Sequence, residues 1–155
     1  MAGLEFDYKQ ALTFLPRWAR GVQVFANASA IRATGDATSN FSGFVPRVYN
    51  WGISVTRERT NLRMNWNYRG RQRDGAVTGR SIEPGTYAWT SKQLNIELQG
   101  EYQLRKRIAA FASIRNLNAA GTDHKIFGPN TPPHATFRSR EDIGALWTLG
   151  LKGSF

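Results

Sequence analysis

From residue 94 to residue 105 the chain reads LNIELQGEYQLR, and polarity alternates at every step. Leu94, Ile96, Leu98, Gly100, Tyr102 and Leu104 are apolar or small, while Asn95, Glu97, Gln99, Glu101, Gln103 and Arg105 are polar. At 100° per residue such a set would scatter around a helix; at 180° it forms one face of a strand. Twelve residues at about 3.3 Å each reach about 40 Å, and a tilt of about 45° reduces that to about 28 Å, close to the depth of a bilayer's hydrocarbon core. Strands in water-soluble domains are usually about half as long.

The pattern recurs. LRMNWNYR sets Leu62, Met64, Trp66 and Tyr68 against Arg63, Asn65, Asn67 and Arg69. VQVFANASA sets Val22, Val24, Ala26 and Ala28 against Gln23, Asn27 and Ser29, with Phe25 breaking the polar face. VYNWGISVT sets Tyr49, Trp51, Ile53 and Val55 against Asn50, Gly52, Ser54 and Thr56. LEFDYKQAL sets Leu4, Phe6, Tyr8 and Leu12 against Glu5, Asp7 and Lys9, with Gln10 and Ala11 out of step. IAAFASIRN is weaker, with Ile108, Ala110, Ala112 and Ile114 opposite Phe111, Ser113 and Arg115. The last segment, LWTLGLKGSF, places Trp147, Leu149, Leu151, Gly153 and Phe155 on one face and Thr148, Gly150, Lys152 and Ser154 on the other.

The connections between these seven segments sort by length. LPRWARG, RERT and RKR are short, whereas ATGDATSNFSGFVP, GRQRDGAVTGRSIEPGTYA and NAAGTDHKIFGPNTPPHATFRSRE are long, and the two kinds alternate without exception. Outer-membrane barrels are built this way, with tight periplasmic turns and extended extracellular loops. The predicted fold is therefore all-β: an antiparallel transmembrane β-barrel segment of about seven long strands. Seven antiparallel strands leave the first and last parallel, while single-chain bacterial barrels have even strand numbers. HATFRSRE is a candidate eighth strand, but inserting it would break the alternation of loops, so a segment of a larger barrel is the better expectation.

Composition agrees. The 155 residues are 41% hydrophobic, yet no apolar run approaches the ~20 residues of a membrane helix. A barrel hides from hydropathy because its lumen-facing half is polar. The absence of cysteine decides little about compartment. The net charge of +10 raises nucleic acid as a partner. Against it, the arginines are dispersed over strands (Arg63, Arg69, Arg115), short turns (Arg57, Arg59, Arg105, Arg107) and long loops (Arg71, Arg73, Arg80, Arg138, Arg140). Trp51, Trp66 and Tyr68 also fall in the apolar phase, away from basic partners, so no nucleic-acid interface is expected.

The chain resembles the C-terminal portion of the barrel of a TonB-dependent receptor, the active transporters of the outer membrane of Gram-negative bacteria. YKQALTFLP followed by GVQVFANAS resembles the family's strand, periplasmic turn and strand. VPRVYNWGISVT resembles a strand re-entering after an outer loop, LNIELQGEYQLRKRIAAFASIRNL a late hairpin closing on its Asn-Leu pair, and LGLKGSF the terminal strand. The likeness covers essentially all of residues 1–155. It implies the last seven strands of a 22-stranded barrel around an N-terminal plug, located in the cell outer membrane. The plug and a signal peptide are expected to be absent here, since MAGLEFDYKQ is acidic and holds no apolar stretch before a cleavage site.

The implied partners are outer-membrane lipid and lipopolysaccharide, the barrel-assembly machinery, TonB by way of the plug region, and a small-molecule nutrient resembling a siderophore, cobalamin or an oligosaccharide. A terminal aromatic after a dyad-repeat strand is what the assembly machinery recognises in outer-membrane proteins, which implicates Phe155 with Gly153, Leu151, Leu149 and Trp147. Arg63, Asn65, Asn67, Arg69, Asn95, Glu97, Gln99 and Glu101 are expected to line the lumen. A small independent outer-membrane barrel and a soluble β-barrel holding a hydrophobic ligand are the alternatives.

Other chemistry is thin. His124 and His134 share one long loop, but a separation of ten positions and no third ligand make solvated loop histidines the simpler reading. Glu97 and Glu101 lie four apart on one strand, about 13 Å, beyond the separation glycosidases use. Glu5, Asp7 and Lys9 are expected as cross-strand partners of the lumen arginines. Neither a nucleophile elbow nor a phosphate-cradling Gly-Lys-Ser/Thr run occurs, so no enzyme and no cofactor or metal site is expected.

Overall fold

The computed structural model describes residues 2–32 and 42–153. Eleven strands succeed one another: β1 (Ala2–Ala11), β2 (Val22–Arg32), β3 (Arg47–Thr56), β4 (Thr60–Arg69), β5 (Gln72–Ala76), β6 (Tyr87–Thr90), β7 (Gln93–Arg105), β8 (Ile108–Arg115), β9 (Thr122–Phe127), β10 (Phe137–Glu141) and β11 (Leu146–Gly153). Short 3₁₀ turns occur at Arg17–Ala19 and Pro133–Ala135, and the described residues contain no α-helix. The chain is therefore all-β, in two antiparallel sheets.

The larger sheet has the order β1-β2-β3-β4-β7-β8-β11 and contains the seven long strands that alternation predicts. Its strands are neighbours in sequence order once the two long loops are passed over. The sheet is open: β1 and β11 are its edges, and no pairing joins them among the described residues. Because seven strands alternate in direction, the two edges run the same way.

Register turns a pattern in single strands into a surface. Gln10, Val24, Ile53, Met64, Leu98, Ile114 and Trp147 stand in one line across all seven strands, apolar except for Gln10. Tyr8, Ala26, Trp51, Trp66 and Ile96 form the neighbouring line on the same face. A slip of one residue anywhere would turn a whole strand's apolar set to the other side. Cross-strand aromatic pairs reinforce the register: the Trp51 and Trp66 rings lie 6.3 Å apart and parallel to within 1°, and Tyr49 and Tyr68 lie 5.4 Å apart.

This apolar face covers nothing. Leu4 is 74% exposed and Leu149 73%, and Ala109 and Ile114 are the only buried hydrophobic residues among those described. A water-soluble sheet would turn such a face onto a second layer, since contiguous apolar surface this large marks contact with something else.

Two phenylalanines interrupt the polar face, and each is matched to a glycine on the adjacent strand. Phe25 is paired with Gly52, and a Cβ at Gly52 would strike its ring; Phe111 is paired with Gly150, where a Cβ would sit 2.7 Å from its ring. The missing side chain gives the ring room to lie along the sheet, which is how an aromatic offsets the weak packing of a strand glycine.

The Asn-Leu pair at the end of β8 has a visible task. Asn116 sits at φ +52°, a left-handed conformation that asparagine tolerates better than most residues. Its side-chain amide donates to the carbonyls of Ala120 (3.1 Å) and Gly144 (2.9 Å) and accepts from the Ala120 N–H (3.0 Å). One side chain thus pins both ends of the loop between β8 and β11. Beyond it, Asn118 bonds the Ile96 N–H and the Leu94 carbonyl, extending the edge of β7 past the end of β8.

Candidate functional site

The side chains expected to line a lumen do share one face. Arg63, Asn65, Asn67 and Arg69 on β4 stand opposite Gln99, Glu97, Asn95 and Gln93 on β7, and Glu101 stands opposite Asn61. Along the same face Asp7, Asn27, Asn50, Asn67 and Asn95 form one line across five strands. Asparagine is a poor strand former, so four of them at one level are not there for propensity. The Asn95 Oδ1 is sealed from solvent without a hydrogen-bond partner. Arg63 donates to Asn65 (2.9 Å) and lies 5.2 Å above the Phe25 ring. Toward the short-turn end of the sheet Lys152 pairs with Glu101, beside a shallow cavity of about 450 Å³ that Arg63 and Gln99 also line.

One expectation about this face fails. Glu5, Asp7 and Lys9 do not meet arginines across the strands; they face Ser29, Asn27 and Phe25. The register, set by the apolar side, leaves no arginine opposite them on β2. On the terminal strand Trp147, Leu149, Leu151 and Gly153 share the apolar face, opposite Ile114, Ala112, Ala110 and Ile108. Phe155 and Ser154 lie outside the described residues.

The larger correction concerns the long loops, which the polarity pattern treats as irregular. Those between β4 and β7 and between β8 and β11 build a sheet of their own, in the order β10-β9-β6-β5. HATFRSRE does contain a strand, β10, but in this second sheet, so the alternation of short and long connections stands. The end of the remaining long connection joins as well, Phe44 bridging to Arg73. These strands run only four to six residues, too short for alternation to separate strand from turn. The pairing of β6 with β9 joins two different loops, and nothing local announces it. The signal available in sequence was compositional: YAWT and DHKIF carry Tyr87, Trp89 and Phe127, all the aromatic rings of these loops except Phe137.

One face of the loop sheet is built around Trp89. Arg73, Trp89 and Lys125 are cross-strand neighbours in line, and Tyr87 stands beside Phe127. The Trp89 and Phe127 rings stack at 5.1 Å. The Arg71 guanidinium lies 4.6 Å over Trp89 and 5.8 Å over Phe127, and that of Arg73 lies 4.6 Å over Tyr87. On the opposite face Asp74 accepts hydrogen bonds from Gln72 (2.6 Å) and Thr90 (2.7 Å).

At the β10 edge Arg140 contacts Asp142 (3.0 Å) and Asp123 (3.5 Å); the bond to Asp142, with both carboxylate charges, raises its pKa. His124 lies 3.7 Å from Glu141. Between the two loop tips Glu83 accepts from the backbone and side-chain N–H of Asn130, each at 3.0 Å. The loops therefore form one ordered body. No group of metal-ligating side chains occurs among the described residues, which include both histidines.

No protein-family model matches the chain, and no curated protein or solved structure matches it. What stands is the class that the geometry defines: an all-β protein whose seven-stranded sheet is polar on one face and apolar and uncovered on the other, with a second, four-stranded sheet built from the β4–β7 and β8–β11 connections.

Proposed function

We propose that residues 1–155 form part of the wall of an outer-membrane β-barrel belonging to a nutrient importer of the TonB-dependent receptor type. The observation that carries this reading is the uncovered apolar face, seven strands wide, with leucine, tryptophan and tyrosine exposed where a soluble sheet would have a core. In hydrocarbon that face is the solvated one, and the polar face becomes the lining of a water-filled or plug-filled lumen. The sorting of turns to one end and long loops to the other gives the wall an orientation, loops outward. A soluble barrel enclosing a hydrophobic ligand would need its edges joined, and no pairing joins β1 to β11 among the described residues. In the importer the segment contributes wall, polar lining and an outer-loop body, and no chemistry.

The test is accessibility in intact cells. With single cysteines placed in the importer, a membrane-impermeant maleimide is expected to label positions 74 and 123 in the loop sheet and to miss positions 58 and 106 in the short turns. Labelling at 106 in intact cells would invert the topology, and recovery of the chain in the soluble fraction would overturn the reading.

A further inference from the structure

The loop sheet has an imbalance that its own packing does not explain. All of its acidic side chains are engaged. Asp74 is held by Gln72 and Thr90 on one face, Glu83 by Asn130 and Thr131, Asp123 and Asp142 by Arg140, and Glu141 faces His124. On the Trp89 face, Arg71 lies over Trp89, Arg73 over Tyr87, and Lys125 stands beside Trp89 with no carboxylate paired to any of them; Asp123, which shares that face on β9, is held by Arg140. Arg73 and Lys125 flank the indole on the two adjacent strands, about 10 Å apart at the backbone from two strand spacings. Arg71 closes over the top.

A guanidinium lying on a ring has its face used and its edge free. The N–H groups of Arg71 and Arg73 make no hydrogen bond within the described structure, and the Lys125 ammonium likewise has none. Arg73 and Lys125 are half-buried as residues, which limits the directions their side chains can take. Two guanidinium groups rest on one aromatic cluster, Arg71 on Trp89 and Phe127 and Arg73 on Tyr87, and like charges held on one cluster repel. Stacking on aromatics also preorganises the arginine forks, so less rotamer freedom is lost when they close on a ligand. The chemistry that satisfies such a cluster is an oxyanion with several acceptor oxygens, met by charge-assisted bonds from two forks and an ammonium.

We propose that Arg71, Arg73 and Lys125, arranged around Trp89, are a binding site for a phosphate-type multivalent oxyanion. The anion is carried either by a free solute or by a headgroup at the outer surface. The site lies wholly within the loop sheet and does not depend on what the seven-stranded wall faces.

The test uses the protein as assembled in the cell and extracted in non-ionic detergent, not the isolated 155 residues refolded. Pyrophosphate is the free probe, and the same micelles doped with lipopolysaccharide are the surface probe. Binding is followed by titration calorimetry and by tryptophan fluorescence, with W89F identifying the reporting ring. Saturable binding that weakens with added salt is expected, at least tenfold weaker in R71Q/R73Q and within twofold of the parent in R80Q, which removes a loop charge away from the cluster. Binding of pyrophosphate assigns the site to a solute; binding of doped micelles alone assigns it to a headgroup.

K125Q provides the second variant should the double substitution disturb the Trp89–Phe127 stack, and it too is expected to weaken binding more than R80Q does. No saturable binding of either probe, or equal binding by the cluster variants and R80Q, overturns the proposal. A chain that binds pyrophosphate yet partitions into water would refute the membrane-wall reading and leave this site standing.

Discussion

If the seven-stranded sheet is a piece of barrel wall, the 155 residues alone should be unable to cross a membrane as a monomer. β1 contributes ten residues and β11 eight to the two open edges. Alternate residues of an edge strand aim their N–H and C=O away from the sheet, so about nine residues, or about eighteen backbone groups, lack partners. At about 2 kcal/mol each, a low figure for transfer without a hydrogen bond, the penalty is about 36 kcal/mol. Halving it for residues beyond the hydrocarbon still leaves more than the 5–15 kcal/mol that typically separates folded from unfolded states. Copies of the chain related by rotation about the membrane normal do not solve the problem. β11 of one copy would meet β1 of the next running the same way, so antiparallel completion requires an odd number of intervening strands. Dilution of the denatured chain into lipid vesicles is therefore expected to yield aggregate, with no monomeric band of altered mobility in unheated gel samples and no protection from trypsin. A monomeric, trypsin-resistant, heat-modifiable species would refute the reasoning and require an independent small barrel.

The remaining predictions concern single side chains and rest on the same reading of the sheet as barrel wall. Leu98 stands between Met64 and Ile114 on the apolar face, so Leu98→Arg should cost about 2–4 kcal/mol in a urea titration in lipid, and Gln99→Arg, one residue along, far less. Equal costs would show that the two faces do not differ in environment. Gly52→Ala should destabilise by about 1–3 kcal/mol, because its Cβ would sit 2.7 Å from the Met64 carbonyl oxygen, an atom that cannot turn aside. Gly150→Ala should cost less, since only the Phe111 ring must move; the reverse order would contradict the ring-on-glycine packing. Asn116→Ala removes three hydrogen bonds and leaves alanine at positive φ, so amide exchange in residues 116–145 should accelerate while the wall strands stay protected. Unchanged exchange there would deny Asn116 its clamping role.

How much was legible differs between the two sheets. The alternation in residues 94–105 identified β7 almost residue for residue, and Asn95, Glu97, Gln99 and Glu101 do share a face with Arg63 and Asn67. The loop site was not legible. Arg71 and Arg73 read as scattered loop charges, and their aromatic partners lie 14 to 56 residues further along the chain. Ion pairs were no more legible. Charge alone suggested that Glu5, Asp7 and Lys9 would meet arginines, whereas register places Ser29, Asn27 and Phe25 opposite them.

The sequence by itself determined the period of every long strand, the polarity of its two faces and the alternation of short and long connections. These are properties of neighbours i and i+2, which backbone geometry converts to one face without knowledge of the rest of the chain. Only the tertiary structure decided which residues stand in line across strands, where a phenylalanine finds its glycine, and that β6 pairs with β9 across two loops. Such contacts are chosen by the packing of segments distant in sequence, where short strands carry too few residues for any local period to specify a partner.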